Sequence, residues 1–252
     1  MKIIASDFDG TLIHHGVISD ADRAAINRFR AEGNIFLVIT GRGYPSIYRE
    51  MKARNMDYDY LIGHNGCTIY DKYGDLCYEA KADGTILPEL LSMFIEHNGH
   101  SSAFGRQLHR YEISESPKEP HMETSYIRFE EVKNYPCFNQ ADAYFDSEEI
   151  AVSLSREIDR CFEGKITSHV NGININSVPY GVSKSSGLEA ICSLTGVAHE
   201  DCIAIGDDFN DIEMIRDFNG VTLPNGRDAV KNTARKVVAG ISELVEEMIG
   251  KE

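Results

Sequence analysis

Short apolar runs alternate with amphipathic stretches in the first part of the chain. Apolar segments begin near residues 3, 35 and 60, and a polar turn follows each of them. Residues 19–34 and about 45–55 carry apolar side chains at helical spacing, with Ser19 placed to cap the first helix and Gly33 to end it. Because strands joined by helices at this spacing form right-handed crossovers, the pattern predicts a parallel sheet.

The same alternation returns near the carboxyl end of the chain. Residues 202–208 and 220–223 indicate strands, and the surrounding segments indicate helices at 187–196, 210–218, 227–234 and 241–250. We therefore expect residues 1–80 and 180–252 to form one α/β core. This core would be a Rossmann-like parallel sheet in a three-layer α/β/α arrangement.

The middle of the chain has a different pattern. Hairpins are indicated at residues 68–80 and 165–178, and helices at residues 87–99 and 147–162. Two antiparallel strands are indicated at residues 101–113 and 124–132. Strands and helices without βα alternation predict a separate α+β unit, inserted into the core at residues 81–179. We expect its core to include an apolar stripe made of Leu90, Leu91, Phe94 and Ile95.

Composition restricts the class of protein. The chain has 252 residues, 42% of them hydrophobic and 26% charged, as in globular proteins that bury a large core. No run approaches the roughly 18 apolar residues that a membrane span requires. The first residues also lack a signal-peptide pattern, so we expect a cytoplasmic protein that does not bind membranes. Six dispersed cysteines without a Cys-x-x-Cys pair favour free thiols.

The net charge of −15 opposes a nucleic-acid surface, because phosphate backbones are bound by basic faces. The same charge affects how an anionic substrate could bind. Such a substrate would need a local positive charge, and a divalent cation is the simplest source.

Polar residues stand at the ends of four predicted strands. They are Asp7 and Asp9, Thr40-Gly41-Arg42, Asn65-Gly66 and Gly206-Asp207-Asp208. Ligands bind at the carboxyl ends of strands in open α/β sheets, and helix capping alone explains two acidic strand ends and a threonine end poorly. Alternate strand residues share a side, which would bring Asp7 and Asp9 together. Oxygen ligands from this pair and from Asp207 would suit Mg²⁺.

Four motifs in order resemble those of the haloacid dehalogenase superfamily of phosphotransferases: DFDGTL at 7–12, ITGR at 39–42, GVSK at 181–184 and GDDFND at 206–211. The large insertion between the second and third motifs, with HNG at 64–66, resembles the Cof-type sugar-phosphatase branch. The resemblance implies that the inserted unit is a cap that selects the substrate. It also implies a Mg²⁺-dependent phosphatase that hydrolyses a small phosphorylated metabolite, first of all a sugar phosphate, through an aspartyl-phosphate.

The resemblance further implies roles for single residues. Asp7 would be the nucleophile, and Asp9 the general acid, whose backbone carbonyl also reaches the metal. Thr40 would donate a hydrogen bond to a phosphoryl oxygen, and Lys184 would neutralise the transferring group. The implied metal ligands are Asp7, Asp9 and Asp207, with Asp208 and Asp211 in support. The implied phosphate positions are Gly10, Gly41, Asn65 and Asn210, and Asn225 resembles a neighbouring position.

Other polar residues allow two interpretations. We expect Arg42 to form structural ion pairs, and His64 lies beside the implied site in the sequence. In the inserted unit, four residues could present groups to a sugar or a second anion, or could simply form the wet face of a strand: Arg106, His109, Arg110 and Tyr111.

Several alternatives to a sugar phosphatase stay open. Phosphomutases of the phosphomannomutase type share similar motifs and need a bisphosphorylated sugar as activator, and the sequence does not exclude them. Phosphoglycolate, sucrose phosphate and phosphorylated cofactor precursors are other candidate substrates. A phospho-aspartate receiver domain is disfavoured because its acceptor lies on a later strand and its domain is about half as long, and a non-catalytic binding protein is disfavoured because every expected chemical residue is present. The sequence does not indicate an oligomeric state.

Overall fold

Two sheets organise the computed structural model, which describes residues 1–116 and 118–250. The strands, in chain order, are β1 (Ile3–Asp7), β2 (Ile35–Ile39), β3 (Tyr60–Gly63), β4 (Thr68–Asp71), β5 (Leu76–Glu79), β6 (Ala82–Asp83), β7 (His100–Arg106), β8 (His109–Ile113), β9 (Thr124–Ile127), β10 (Cys137–Phe138), β11 (Gln140–Tyr144), β12 (Ile166–Asn171), β13 (Asn174–Pro179), β14 (Cys202–Gly206) and β15 (Val221–Thr222). The α-helices are α1 (Asp20–Ala31), α2 (Tyr44–Ala53), α3 (Leu87–Glu96), α4 (Glu148–Cys161), α5 (Lys184–Thr195), α6 (Ile212–Asp217), α7 (Asp228–Thr233) and α8 (Ile241–Ile249).

The first sheet has seven strands in the order β15-β14-β1-β2-β3-β4-β5. The five strands from β15 to β3 are parallel, and β4 and β5 extend them as an antiparallel hairpin. Every residue of β1 and β2 is buried, as expected for a parallel sheet that is covered on both faces.

Helices cover both faces of the first sheet. Ile4 of β1 belongs to an apolar cluster with α1, α2 and α8, whereas its neighbours Ile3 and Ala5 belong to a second cluster with α5, α6 and α7. Alternate strand residues point to opposite faces, so the two clusters lie on opposite sides of the sheet. The predicted three-layer α/β/α core is therefore confirmed.

The second sheet lies in the segment between β5 and α5, which we call the inserted unit (residues 81–179). Its six strands run in the order β12-β13-β11-β7-β8-β9, and β6 and β10 form a separate two-stranded ribbon. Helices α3 and α4 pack on one face, where Ala141 of β11 and Ile175 of β13 are buried. The opposite face carries Asp142 and Asn176, which are paired neighbours on β11 and β13 and line a cavity next to the first sheet.

Two features of the inserted unit differ from the sequence-based prediction. Residues 124–132 do not form one antiparallel strand: β9 ends at Ile127 and runs parallel to β8, and residues 129–134 form a 3₁₀ turn. Alternation with period two is the same in parallel and antiparallel strands, so the pattern could not give the direction. Strand β11 was not predicted, although it is central and pairs with both β13 and β7.

The apolar stripe of α3 is buried only in part. Leu90, Leu91 and Phe94 are fully buried against the sheet, whereas Ile95 is 44% exposed. The prediction that Ile95 belongs to the core of the inserted unit is therefore wrong, because the packed face of α3 follows residues 87, 90, 91 and 94 and leaves position 95 at its rim. No helix in the described part of the chain combines the length and apolarity needed to cross a bilayer.

These neighbouring side chains of α3 give a test of the packing. We expect Phe94→Ala to lower the free energy of unfolding by about 3–5 kcal/mol, because it removes a buried ring and leaves a cavity. Ile95→Ala should change it by less than about 1 kcal/mol, as is usual for exposed positions. Urea unfolding followed by circular dichroism measures both, and equal losses in the two variants would contradict the observed face of α3.

Candidate active site

Three strand ends meet at one edge of the first sheet. Strand β1 pairs in parallel with β2 on one side and with β14 on the other. Asp7 therefore lies beside the residues that follow β2 and β14, which are Thr40 and Asp207. Asp7 and Thr40 are almost fully buried, at 5% and 2% exposure.

Lys184 is the only cation at the centre of this cluster of strand ends within the described residues, and it is 1% exposed. It is the first residue of α5, whose N-cap is Ser183. Its Nζ donates to Oδ1 of Asp7 at 2.6 Å and to Oδ1 of Asp211 at 2.5 Å. Burial lowers the pKa of Lys184, but the carboxylates of Asp211 and Asp7 outweigh burial and raise it above its ordinary value. The ammonium group is therefore charged at neutral pH.

Three carboxylates surround this ammonium group. Oxygen atoms of Asp7, Asp207 and Asp211 all lie within 4.8 Å of one another. Burial raises the pKa of Asp7 well above its usual range and that of Asp207 to about 6. When all three are ionised, one ammonium leaves a local charge of about −2, because each carboxylate carries one negative charge.

The carboxylates of Asp207 and Asp211 each have a fixed orientation. Oδ1 of Asp207 accepts from the hydroxyl of Thr11 at 2.7 Å, and Oδ2 of Asp211 accepts from the backbone N–H groups of Asp207 and Asp208 at 2.9 and 3.0 Å. Oriented carboxylate oxygens with an unbalanced negative charge are the donor set that a hard divalent cation prefers. The acidic cluster therefore fits such a cation.

The glycine within the first motif allows this arrangement. Gly10 has φ of +85°, and a Cβ atom at this position would lie 2.4 Å from Oδ2 of Asp207. Any side chain would displace that carboxylate as well as strain the backbone. Asn225 completes the contact, since its Nδ2 donates to the carbonyl of Gly10 at 2.9 Å and to Asp207 at 3.2 Å.

The side chain of Asp9 lies outside the acidic cluster. Strand β1 ends at Asp7, so the alternation that would have brought the two carboxylates together does not continue to Asp9. Arg42 holds Asp9 through two hydrogen bonds, from Nε to Oδ2 at 2.7 Å and from Nη2 to Oδ1 at 2.5 Å. Asp211, expected to support the metal site or Lys184, belongs to the acidic cluster and contacts Lys184. The contribution of the Asp9 backbone carbonyl to a metal site stays a prediction.

Asp208 performs a structural task in this structure. Its carboxylate accepts from the N–H of Phe209 at 2.7 Å at the start of a 3₁₀ turn. Nε of Arg227 lies 2.6 Å from the same carboxylate. Asp208 therefore orients the turn that carries Asp211, and its side chain is not part of the acidic cluster.

A chain of amide side chains connects the first sheet to the inserted unit. Asn210 donates to Oδ1 of Asn65 at 3.0 Å, and Asn65 donates to Oε1 of Gln140 at 3.0 Å. Nε2 of Gln140 donates in turn to the carbonyl of Gly41 at 3.0 Å and to Asn176 at 3.1 Å. Asn65 and Asn210, implied as phosphate positions, are thus engaged with each other and do not line the cavity, whereas Gly41 does.

Sequence reasoning did not find Gln140 and Asn176. Gln140 begins β11, a strand that the apolar pattern did not predict, so no signal marked it. Asn176 lies in a predicted strand, where an amide on an alternating position is typical of any wet face.

A cavity of about 630 Å³ lies between the carboxyl edge of the first sheet and the wet face of the inserted unit. Asp7, Asp9 and Thr40 line it on one side. His109 and Arg110 line it on the other, whereas Tyr111 packs against Phe104 and Tyr135 in the inserted unit. Arg106, the fourth residue with two interpretations, is not among the lining residues that the structure describes.

His64 also lines this cavity, and its surroundings keep it neutral. It is 6% exposed, and its Nδ1 is buried without a hydrogen-bond partner in the described structure. Burial, together with the nearby charge of Arg110, lowers the pKa of His64 to about 4. A neutral imidazole adds no positive charge to the cavity at physiological pH.

The structure combines a parallel α/β core, acidic strand ends, a buried lysine and an inserted unit beside the cavity. This combination is typical of one class of hydrolases. A family model of haloacid dehalogenase-like hydrolases matches residues 4–243. The chain belongs to this family, as the four motifs predicted.

Relatives and solved structures agree with this assignment. The chain is similar to 5-amino-6-(5-phospho-D-ribitylamino)uracil phosphatase YcsE of Bacillus subtilis (strain 168), with 29% identity over 238 residues, 93% of this chain and 88% of that protein. It is also similar to pyridoxal phosphate phosphatase YbhA of Escherichia coli (strain K12), with 26% identity over 94% of this chain and 93% of that protein. A haloacid dehalogenase-like hydrolase from B. subtilis has the same fold, with a TM-score of 0.86, 20% identity, and coverage of 99% of this chain and 100% of that one. The predicted enzyme class, a phosphatase of the haloacid dehalogenase type, is confirmed.

The charge balance around Lys184 gives a test. We expect Lys184→Met to lower the free energy of unfolding by about 3–5 kcal/mol at pH 8, because it leaves buried carboxylates without their cation. The pKa values of Asp7 and Asp207 are raised, so these groups take up protons as the pH falls towards 5, and the loss should become smaller. Denaturant unfolding at both pH values measures the effect. Lys165→Met, at an exposed position, is the control, and a loss that grows at low pH would contradict this charge balance.

Proposed function

We propose that this protein is a Mg²⁺-dependent phosphatase that hydrolyses a small phosphorylated metabolite, a sugar phosphate, through an aspartyl-phosphate on Asp7. The observation that carries the proposal is the contact of Lys184 with Asp7 and Asp211 beside Asp207, at the edge of a cavity. The names of the two curated relatives support the substrate class, because both are phosphatases of small phosphorylated compounds.

The first step of the proposed reaction is an attack by Asp7. Lys184 occupies Oδ1 of Asp7, which orients the carboxylate and leaves Oδ2 for the attack on phosphorus. A new O–P bond forms on Asp7 while the bond from phosphorus to the alcohol oxygen breaks. The ammonium group of Lys184 offsets the negative charge that collects on the transferring group.

Asp9 would manage the protons of both steps. It protonates the leaving alcohol oxygen and then takes a proton from the water that hydrolyses the aspartyl-phosphate. One of its two hydrogen bonds with Arg42 would have to open for this transfer. Thr40 is suited to hold the phosphoryl group, because its hydroxyl oxygen accepts from the N–H of Arg42 at 3.2 Å and its own hydrogen stays available to donate.

Asp7, Asp207 and the backbone carbonyl of Asp9 would hold Mg²⁺, with Asp211 orienting the loop beside them. When bound, Mg²⁺ would supply the positive charge that the acidic cluster lacks and would offset the charge of a phosphoryl group. The inserted unit would act as a cap at residues 81–179 that contacts the alcohol part of the substrate and excludes water. The cytoplasmic location stays a prediction.

Removal of the proposed nucleophile is the direct test. We expect Asp7→Asn to lower phosphate release by about a thousandfold or more across a panel of phosphorylated metabolites, because the amide cannot form the covalent intermediate. Asp57→Asn, at an exposed carboxylate before β3, should leave the rate unchanged.

The same panel tests the alternatives. Activity that survives in Asp7→Asn, or that a chelator does not diminish, would contradict the proposed mechanism. A requirement for glucose 1,6-bisphosphate or its mannose equivalent would support a phosphomutase instead.

Metal binding has an expected pH dependence. Asp207 has a pKa of about 6 without a metal and must lose its proton to act as a ligand. Magnesium chloride should therefore raise the melting temperature clearly at pH 7.5, and this increase should be lost as the pH falls through 6 to 5. Scanning fluorimetry measures both, with Asp207→Asn as the variant that should show no increase. An increase of the same size at both pH values would contradict the role of Asp207.

A further inference from the structure

Every arginine that lines the cavity in the described structure is paired with an acidic residue that also lines it. The pairs are Arg42 with Asp9, Arg49 with Glu123 and Arg110 with Asp142. No lysine occurs among the described lining residues. Every arginine on the described wall of the cavity is therefore already paired with a carboxylate. Lys184 is paired too, because it contacts Asp7.

The pair of Arg110 and Asp142 lies on the inserted unit, opposite the acidic cluster. Nη1 of Arg110 lies 2.7 Å from Oδ1 and 2.5 Å from Oδ2 of Asp142, and its Nη2 donates to the carbonyl of Ser101 at 3.1 Å. The two side chains are 35% and 19% exposed. Asp142 offsets the charge of the guanidinium, so a second anion that reached the remaining N–H groups of Arg110 would also lie close to a carboxylate.

Five amide side chains, which carry no charge, also line this wall. They belong to Gln107, Gln140, Asn171, Asn174 and Asn176. Amides offer both donors and acceptors, which match hydroxyl and carbonyl groups. The described lining contains no phenylalanine, tyrosine or tryptophan, so it offers no stacking surface for a flat apolar ring.

The structure assigns charge selection to the Arg110–Asp142 pair. We infer that the cavity accepts esters with a single phosphoryl group and a neutral, hydrogen-bonding alcohol, and rejects esters that carry a second phosphate. A second phosphate would meet the carboxylate of Asp142 or would have to break a preformed ion pair, and either outcome costs affinity. This inference rests on the proposed function and narrows its substrate class.

The test uses binding, so that it does not depend on turnover. In the Asp7→Asn background, titration calorimetry gives the dissociation constants of glucose 6-phosphate and glucose 1,6-bisphosphate. We expect the monophosphate to bind more tightly. Adding Asp142→Asn should strengthen binding of the bisphosphate relative to the monophosphate by about tenfold or more. The reason is that Arg110 is then free to make charge-assisted hydrogen bonds.

A charge-neutral double change is the matched control. Arg110→Gln with Asp142→Asn removes both charges and should return the ratio to its original value. It also avoids the partly buried, unpaired guanidinium that Asp142→Asn leaves, so it keeps the inference testable if the single variant unfolds. A double variant that prefers the bisphosphate would then overturn the inference.

The outcomes separate this inference from the proposed function. Equal or tighter binding of the bisphosphate to the starting protein, or an unchanged ratio in a folded Asp142→Asn variant, would overturn the inference alone. Failure of both esters to bind at millimolar concentration would count against the inference and against a sugar-phosphate substrate together.

Discussion

The double contact of Lys184 is the interaction on which the rest of the site depends. Its ammonium joins Asp7, at the end of β1, to Asp211, in the turn after β14. These two residues and Lys184 come from separate parts of the chain, so the charge balance exists only when the parallel strands are in register. An unpaired charge at this depth would cost several kcal/mol. The geometry of the acidic cluster and the register of the sheet therefore depend on the same contact.

Beside the acidic cluster, neutral groups connect the inserted unit to the first sheet, and the ion pair of Arg49 with Glu123 is a further contact between them. Gln140 of β11 contacts the carbonyl of Gly41 and the amide of Asn65, which lie in the turns after β2 and β3. These amide contacts carry no net charge. They can therefore hold a wall against the site without changing the electrostatics that Lys184 and the acidic cluster set.

The sequence predicted the parts of the molecule that depend on strand ends. Asp7, Thr40 and Asp207 follow apolar runs whose parallel pairing brings their ends together, so their meeting could be expected before the structure was known. The face of the inserted unit could not, because β11 packs through Ala141 and Ala143, which give little hydrophobic or β-forming signal. Asp142 and Gln140 lie on that strand. These two cavity-lining residues could therefore not be predicted, because the strand that carries them has the weakest sequence pattern.

A net charge of −15 repels anionic substrates at long range, although salt screens this repulsion beyond about 8–10 Å. The attraction for a phosphate must therefore come from groups next to it. In the described cavity the arginines are neutralised by their own carboxylates, and Lys184 is shared by two more, so the acidic cluster is the place where added positive charge can act. It follows that the phosphoryl group which reacts is also the group that positions the substrate. An ester with two phosphates would gain nothing from the second, and selection for a single phosphate follows from how the charges are paired.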